Sequence, residues 1–217
     1  MTKSTAFLCC AFAIMAITIN TAAQINQGAV LLGGDFGGSS ETRKNGSTIT
    51  SKQHGLGISP AAGFAIRDNL ILGTDLYFSD GKYDGTPPSY DSKDSYRGGG
   101  IFLRKYKGLG SSGFSVFLQG RLGYQHYRFT QTGTTLIDDI KRSTFSLNAN
   151  PGLSYKVSNK LQLETGMGNL LSLSIYSEKQ TISAGTISDY HSNGFNLTSS
   201  LNSFSSLYIG FRLLLDK

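Results

Sequence analysis

Residues 114–124 read FSVFLQGRLGY, and the alternation of their side chains decides the fold. The first set of alternate positions is apolar or small: Phe114, Val116, Leu118, Gly120, Leu122 and Tyr124. The positions between them include polar groups, notably Gln119 and Arg121. Because successive side chains of a strand point to opposite faces, this segment predicts a strand with one dry face.

The same two-residue alternation recurs along the chain, while no segment after residue 24 keeps a helical period. It is clear in LILGTDLYF (70–78), FSLNANPGLSYKV (145–157) and LYIGFRLLL (207–215). We count eight strand-like segments in all. They cover approximately residues 27–37, 54–66, 70–79, 95–107, 114–129, 142–157, 161–176 and 203–215.

The connections between these segments are short and long in strict alternation. The short ones are residues 67–69, 108–113 and 158–160. The long ones are polar stretches at about residues 38–53, 80–94, 130–141 and 177–202. Membrane barrels have tight turns at the periplasmic side and long loops outside. The sequence therefore predicts an all-β fold, an eight-stranded antiparallel up-and-down transmembrane β-barrel that forms one domain over residues 24–217.

The N-terminal stretch differs from the rest of the chain. Lys3 precedes the apolar run AFLCCAFAIMAI, which is followed by the small-residue stretch TINTAAQ. This order is typical of a signal peptide, so we expect residues 1–23 to be removed; the alternative is a retained anchor helix. Cys9 and Cys10 would leave with the signal. The mature chain would then have no thiol for a disulfide or a cysteine metal site.

Composition excludes a nucleic-acid function. Charged residues make up 16% of the chain, against about 25% in ordinary soluble domains. Without Lys3, 19 of the 20 basic residues remain against 14 acidic ones, a charge of +5. The basic residues are scattered singly, without the clustered basic and aromatic stripe of a nucleic-acid site. A basic surface that faces anionic lipid head groups is the more natural interpretation.

Four stretches carry a resemblance to a known family. They are SPAAGFAIRDNLILGTDLYF (59–78), GIFLRKYKGLGSSGFSVFLQGRLGY (100–124), NPGLSYKVSNKLQLETGMGNL (150–170) and SLYIGFRLLL (206–215). The sequence resembles the small outer-membrane β-barrels of Gram-negative bacteria, the porin-like eight-stranded kind. The resemblance implies an outer-membrane location, contact with membrane lipid and lipopolysaccharide, and insertion by the barrel-assembly machinery. Such chains usually end on an aromatic residue, whereas this one ends Leu215-Asp216-Lys217, which implies slower insertion.

In such a barrel the continuous apolar face points to lipid, so Gln119 and Arg121 point into the lumen. The reverse phase would give a soluble lipid-carrying barrel, but an interior of Gly, Asn, Gln, Asp and Arg is a poor apolar pocket. An eight-stranded barrel is also narrow enough to be filled by its own side chains.

The predicted lumen contains a structural polar network. Four charged residues lie about five to seven residues into their strands from a short turn or chain end, so they share one level. They are Asp75, Arg104, Glu164 and Arg212. Because unpaired ions would be costly there, we expect the two carboxylates to pair with the two arginines, with Gln119 and Arg121 joining from above. The alternative is that water solvates each charge separately.

The sequence predicts no catalytic, cofactor-binding or metal-binding residue. His54, His126 and His191 fall in loops or at outer strand ends, where we expect them to be solvated. The acidic stretch 80–96 lacks the ligand spacing of an EF-hand and is interpreted as a solvated loop. Tyrosine and phenylalanine near the strand ends are interpreted as interfacial girdles. The residues concerned are Tyr77, Tyr106, Tyr124, Tyr127, Phe129, Tyr155 and Tyr176.

Three functions are compatible with these observations. The first is a structural or surface-interaction barrel, whose outer loops meet an extracellular ligand that the sequence does not identify. The second is an outer-membrane enzyme acting on lipid A or phospholipid, since His126 lies on the outward face with serines nearby. The third is a barrel that binds or passes a small apolar solute.

Overall fold

The computed structural model describes residues 25–45, 48–85, 90–133, 137–167, 170–183, 187–199 and 207–215. These residues form ten antiparallel strand segments. The segments are β1 Val30–Asn45, β2 Thr48–Arg67, β3 Leu70–Gly85, β4 Tyr90–Gly108, β5 Phe114–Gly133, β6 Ile137–Lys156, β7 Leu161–Met167, β8 Leu171–Ser183, β9 Ile187–Ser199 and β10 Leu207–Leu215. Within the described part of the chain, no helix is long and apolar enough to cross a membrane.

The segments close into a barrel with eight strand positions. Strands β1 to β6 pair in sequence, β1 also pairs with β10, and β10 pairs with β7. Strand β6 pairs with both β7 and β8, and β9 pairs with β8. Segments β7 and β8 therefore occupy the seventh position, and β9 and β10 occupy the eighth. The prediction of an eight-stranded antiparallel barrel is confirmed.

The seventh strand is interrupted, which the sequence did not predict. Gly152 of β6 pairs with Gly166 of β7, whereas Ala149 pairs with Leu171 of β8, so the register shifts between them. Pro151 of β6 lies at this shift. Its nitrogen has no hydrogen to donate to a neighbouring strand, and proline in a sheet is confined to such irregular places.

The apolar face of each strand points outward. Leu122 of β5 pairs with Ile101 of β4 and with Leu147 of β6. All three side chains lie on the outer surface and are more than half exposed, at 53%, 54% and 54%. Gln119, on the other face of β5, is 8% exposed. We call this outward apolar band the lipid belt; Tyr155 marks its lower limit, and Tyr124 and Phe145 mark its upper limit.

A small apolar cluster closes the lumen at the short-turn end. Its buried members are Ile25, Ala29, Leu31, Ala65, Ile71, Phe102, Tyr106, Phe117 and Leu214. Ile25 precedes the first strand, and its amide donates to Asn69 Oδ1 at 3.1 Å. Asn69 lies in the β2–β3 turn with φ of 58°, a left-handed conformation that asparagine tolerates. The N-terminal segment thus covers the lower opening.

The described residues of the four long polar stretches are strand, so their prediction as loops is wrong. Residues 38–45 and 48–53 continue β1 and β2, and the acidic stretch 80–96 continues β3 and β4 on both sides of residues 86–89. The remaining two stretches likewise extend the strands on either side of them. Ion pairs join neighbouring strands here, as between Arg97 and Asp80 at 2.7 Å. Within these stretches both faces are largely polar, so the alternation of hydrophobicity that marks a strand disappears.

The aromatic girdle prediction is correct at two positions and wrong at the rest. Tyr124 and Tyr155 point outward and are each 41% exposed. The others share the inward face of their strands: Tyr77, Tyr106, Tyr127, Phe129 and Tyr176. Their position within the two-residue alternation, and not their place near a strand end, decides their direction.

The outward direction of Leu122 leads to a first prediction. Leu122→Lys should destabilise the barrel by about 2–4 kcal/mol, because a lysine near the bilayer midplane leaves its ammonium in hydrocarbon. Leu122→Ile is the matched control and should fold like the wild type. Folding into lipid vesicles, followed by the gel shift between unboiled and boiled protein, measures the effect. Equal folding of both variants would contradict the lipid-facing position.

Candidate lumenal site

The six residues of the predicted network all lie on inward faces of the barrel. Asp75 is on β3, Arg104 on β4, Gln119 and Arg121 on β5, Glu164 on β7 and Arg212 on β10. The structure brings them together in two groups, not in one ring.

The larger group is built around the carboxylate of Glu164, whose side chain is fully buried. Arg104 Nη1 donates to Glu164 Oε2 at 2.7 Å, and the hydroxyl of Tyr106 donates to Oε1 at 2.6 Å. Arg212 Nε lies 3.2 Å from Oε2 as an ion-pair contact without hydrogen-bond geometry. Two cations and one phenol therefore surround one carboxylate. A buried carboxylate needs such partners to remain ionised.

Arg104 connects this carboxylate to β5. Its Nε and Nη2 donate to Gln119 Oε1 at 2.8 and 2.6 Å, and Nη1 also donates to Tyr106 Oη at 2.9 Å. The guanidinium lies 4.5 Å from the ring centre of Phe117, which packs in the apolar cluster below. One arginine thus joins the polar layer to the apolar closure beneath it.

Arg212 contacts a residue that the sequence did not single out. Its Nη2 donates to Asp35 Oδ1 at 2.9 Å, and its Nη1 donates to the carbonyl of Gly34 at 2.8 Å. The two-residue alternation of β1 could have identified Asp35, because it shares the inward face of this strand with Leu31 and Gly33. A Cβ at Gly210 would collide with the Asp35 carboxylate, so glycine makes the room that this pair needs.

Asp75 does not reach Arg104 or Arg212, which corrects the predicted pairing. It accepts hydrogen bonds from Arg121 instead, with Nε to Oδ2 at 2.8 Å and Nη2 to Oδ1 at 2.5 Å. A Cβ at Gly123 would collide with the Arg121 guanidinium, so this pair also depends on glycine. Asp75 therefore lies with Arg121 and not on one level with Arg104, Glu164 and Arg212, as the count from the turns predicted. Arg121 reaches it past Gly100 of the intervening strand β4.

Across both groups the charges balance. Three carboxylates, of Asp35, Asp75 and Glu164, meet the guanidinium groups of Arg104, Arg121 and Arg212. The Arg104, Glu164 and Arg212 side chains are 3%, 0% and 2% exposed, so little space is left between them. The arrangement fills the lumen and fixes the relative positions of six strand segments, β1, β3, β4, β5, β7 and β10.

The three histidines all lie in strands on the outer surface, beyond the lipid belt. His54 of β2 contacts Ser40 of β1, with Nδ1 and Oγ 3.2 Å apart. His126 of β5 contacts Ser143 of β6, with Nδ1 and Oγ 3.3 Å apart. His191 pairs with Lys179 across β9 and β8. Within the described ranges, no group of three or more His, Cys, Asp or Glu residues could hold a metal ion.

Residues 9–202 match the model of the outer membrane protein beta-barrel domain family. This match covers most of the chain. The chain belongs to this family. As a member of the outer membrane protein beta-barrel domain family it is located in the outer membrane, as the resemblance implied. The predicted N-terminal signal and the terminal Asp216 and Lys217 lie outside the described residues.

Several solved structures are similar to this family member. Neisserial surface protein A is 16% identical with a TM-score of 0.41, and the match covers 86% of this chain and 97% of that one. OprG from Pseudomonas aeruginosa is 14% identical with a TM-score of 0.48, over 89% and 99% of the two chains. The translocator domain of NalP from Neisseria meningitidis is 11% identical with a TM-score of 0.49, over 97% and 95%. No curated protein matches the sequence.

The contacts of Glu164 lead to a second prediction. Glu164→Gln should lower the free energy of unfolding by about 3–5 kcal/mol, because Arg104 and Arg212 would keep buried charges without their partner. Arg104→Met should also destabilise, and the double variant should lose less than the sum of the two by about 0.5–3 kcal/mol. Urea unfolding in lipid vesicles measures all three.

Glu41→Gln is the matched control for this cycle. The pair of Glu41 and Arg43 is more than half exposed, so its loss should change stability by no more than about 1 kcal/mol. Strictly additive losses of Glu164 and Arg104 would mean that the two side chains are solvated independently.

Proposed function

We propose that the protein is a structural and surface-interaction barrel whose lumen carries no solute. The observation that supports this most is the filled interior at two levels. The apolar cluster closes the short-turn end, and above it the Arg104, Glu164 and Arg212 side chains are at most 3% exposed. A filled eight-stranded barrel leaves no water channel, and it also argues against passage of a small apolar solute.

The strands are longer than a membrane crossing requires. Strand β5 has 20 residues. At a rise of 3.3 Å per residue and a tilt near 40°, it spans roughly 50 Å, against an apolar band of about 25 Å. The lipid belt lies toward the short-turn end, so the excess length extends beyond the other side. We place that end outside the cell, where the hairpins present a polar surface to the surroundings.

The outer surface just beyond the belt carries paired charges that suit lipopolysaccharide head groups. Arg97 pairs with Asp80, Arg128 with Asp139, and Lys179 with Asp189. These side chains face outward at the level at which head groups and their bridging ions lie. Lipid and lipopolysaccharide are thus the nearest proposed partners, with the barrel-assembly machinery needed for insertion.

Conductance tests the proposed closed lumen. Purified full-length protein, shown to be folded by its gel shift on boiling, should produce no steady channels in a planar bilayer. A general porin in the same bilayer is the positive control. Long-lived open channels from the folded protein would contradict the proposal, because two closed layers leave no continuous water path.

A second candidate function, hydrolysis of lipid esters, is favoured by one observation. Ser143 Oγ lies 3.3 Å from His126 Nδ1, and the hydroxyl of Tyr124 donates to the same oxygen at 3.1 Å. A serine next to a histidine base can become a nucleophile, and this pair faces outward at the membrane boundary. Within the described residues, no carboxylate hydrogen-bonds to His126, so the arrangement lacks the third member of a triad.

Lipid analysis separates the two functions. Mass spectra of phospholipid and lipid A from cells that produce the wild type, Ser143→Ala or Ser40→Ala should be identical if the barrel is structural. Ser40→Ala is the matched control, because Ser40 forms a similar outward contact with His54. Lysophospholipid or deacylated lipid A that disappears only in Ser143→Ala would establish the hydrolase instead.

A further inference from the structure

The upper lumen contains a chamber that the polar network does not fill. It lies above the Arg121–Asp75 pair and has a volume of about 410 Å³. It is lined by Tyr96, Gln125, Tyr127, Ile140, Arg142, Thr144 and Glu178. We call it the vestibule. Its volume falls within the range of about 300–1,000 Å³ that is usual for small-molecule sites.

One wall of the vestibule is aromatic. The rings of Tyr96 and Tyr127 lie 4.6 Å apart, and Tyr77 lies 6.5 Å from Tyr96. Tyr176 contributes a fourth inward ring, 4.9 Å from the guanidinium of Arg142. Of these four, Tyr77, Tyr127 and Tyr176 were predicted to face lipid as part of the aromatic girdle.

The opposite wall is almost bare. The inward positions there, on β1 and β2, include Gly37, Gly55, Gly57 and Ser59. A Cβ added at Gly37 would meet nothing within 4 Å. At the lower level the same barrel is filled by side chains from every side. The vestibule is therefore open because large side chains on one wall face small ones on the other. The barrel does not need to be wider here than at the level of Glu164.

The vestibule carries balanced charge. Arg142 Nε donates to Glu178 Oε2 at 2.6 Å, and Arg121, two inward positions below Gln125 on β5, is paired with Asp75. An anion or a cation would have to compete with an existing partner. An apolar solute would leave the Arg142–Glu178 pair and the amide of Gln125 without hydrogen-bonding water. The occupant that fits is neutral, has many hydrogen-bonding groups and has flat apolar faces.

A sugar ring has this chemistry. Its axial C–H groups form an apolar face that can stack on the electron-rich face of tyrosine, and its hydroxyls can bond to Gln125, Thr144 and the paired Arg142 and Glu178. We propose that the vestibule is a binding site for neutral sugar units of a saccharide, with Tyr96 and Tyr127 as the stacking surface. The proposal rests on the barrel orientation given above, which leaves the vestibule open to the outside.

Two sources can supply such sugars: the oligosaccharide of lipopolysaccharide and glycans from outside the cell. Folded full-length protein in detergent is screened on an array of neutral glycans, and binding to oligosaccharide released from lipopolysaccharide is measured by calorimetry. Binding in either arm supports the site, and the arm that responds identifies the source. No binding in both arms overturns the proposal.

Variants on one strand test whether the vestibule itself binds. Tyr127→Leu should weaken binding of the selected glycan by ten-fold or more. Tyr124→Leu is the matched control, because Tyr124 lies on the same strand but points to lipid. The affinity of this variant for the glycan should equal that of the wild type. Equal loss in both variants, or no loss in Tyr127→Leu, would overturn the assignment. In detergent solution, ligands can reach both ends of the barrel. A failure to bind glycan is therefore distinguishable from the appearance of channels in the conductance experiment.

Discussion

The fold depends on one buried carboxylate being matched by one cation from across the lumen and one from the neighbouring strand. Glu164 projects from β7 into the lumen, where Arg104 of β4 and Arg212 of β10 meet the same oxygen. An eight-stranded barrel has no core apart from what its own inward side chains supply. Here the ionic layer spans the lumen, and the apolar cluster needs only to seal the space below it. Removing the carboxylate would leave two arginines in a medium that hydrates neither.

Glycine makes this dense layer geometrically feasible. Gly33 and Gly210 flank Arg212, and a Cβ at either position would collide with the guanidinium group or its partners. Glycines on β1 and β2 in the upper lumen have a different effect, because they leave the space of the vestibule open. Glycine therefore serves two opposite purposes in this lumen, close packing below and an open chamber above. Charged side chains at the neighbouring positions decide which purpose applies.

The sequence was sufficient for the wall of the barrel and for the direction of its side chains. Alternation in residues 114–124 placed Gln119 and Arg121 inside, since a strand inverts its side chains at every residue. The strand ends beyond the membrane were missed because both faces there are polar. The partner of Asp75 was missed for a different reason. The arginine that reaches Asp75 is determined by the relative stagger of β3, β4 and β5. The sequence of a single strand does not contain that stagger.

Counted by strand position, the ladder between the first and the eighth positions is the shortest among the described residues, because β9, the other segment of the eighth position, pairs only with β8. Among the described residues, β1 and β10 share seven pairs, from Val30 with Leu215 to Phe36 with Ile209. Strands β4 and β5 share 19 pairs, from Tyr90 with Gly133 to Gly108 with Ser115. Backbone hydrogen bonds add along a ladder, so this seam resists separation least. A lateral force on the folded protein would part the barrel first where its two ends meet.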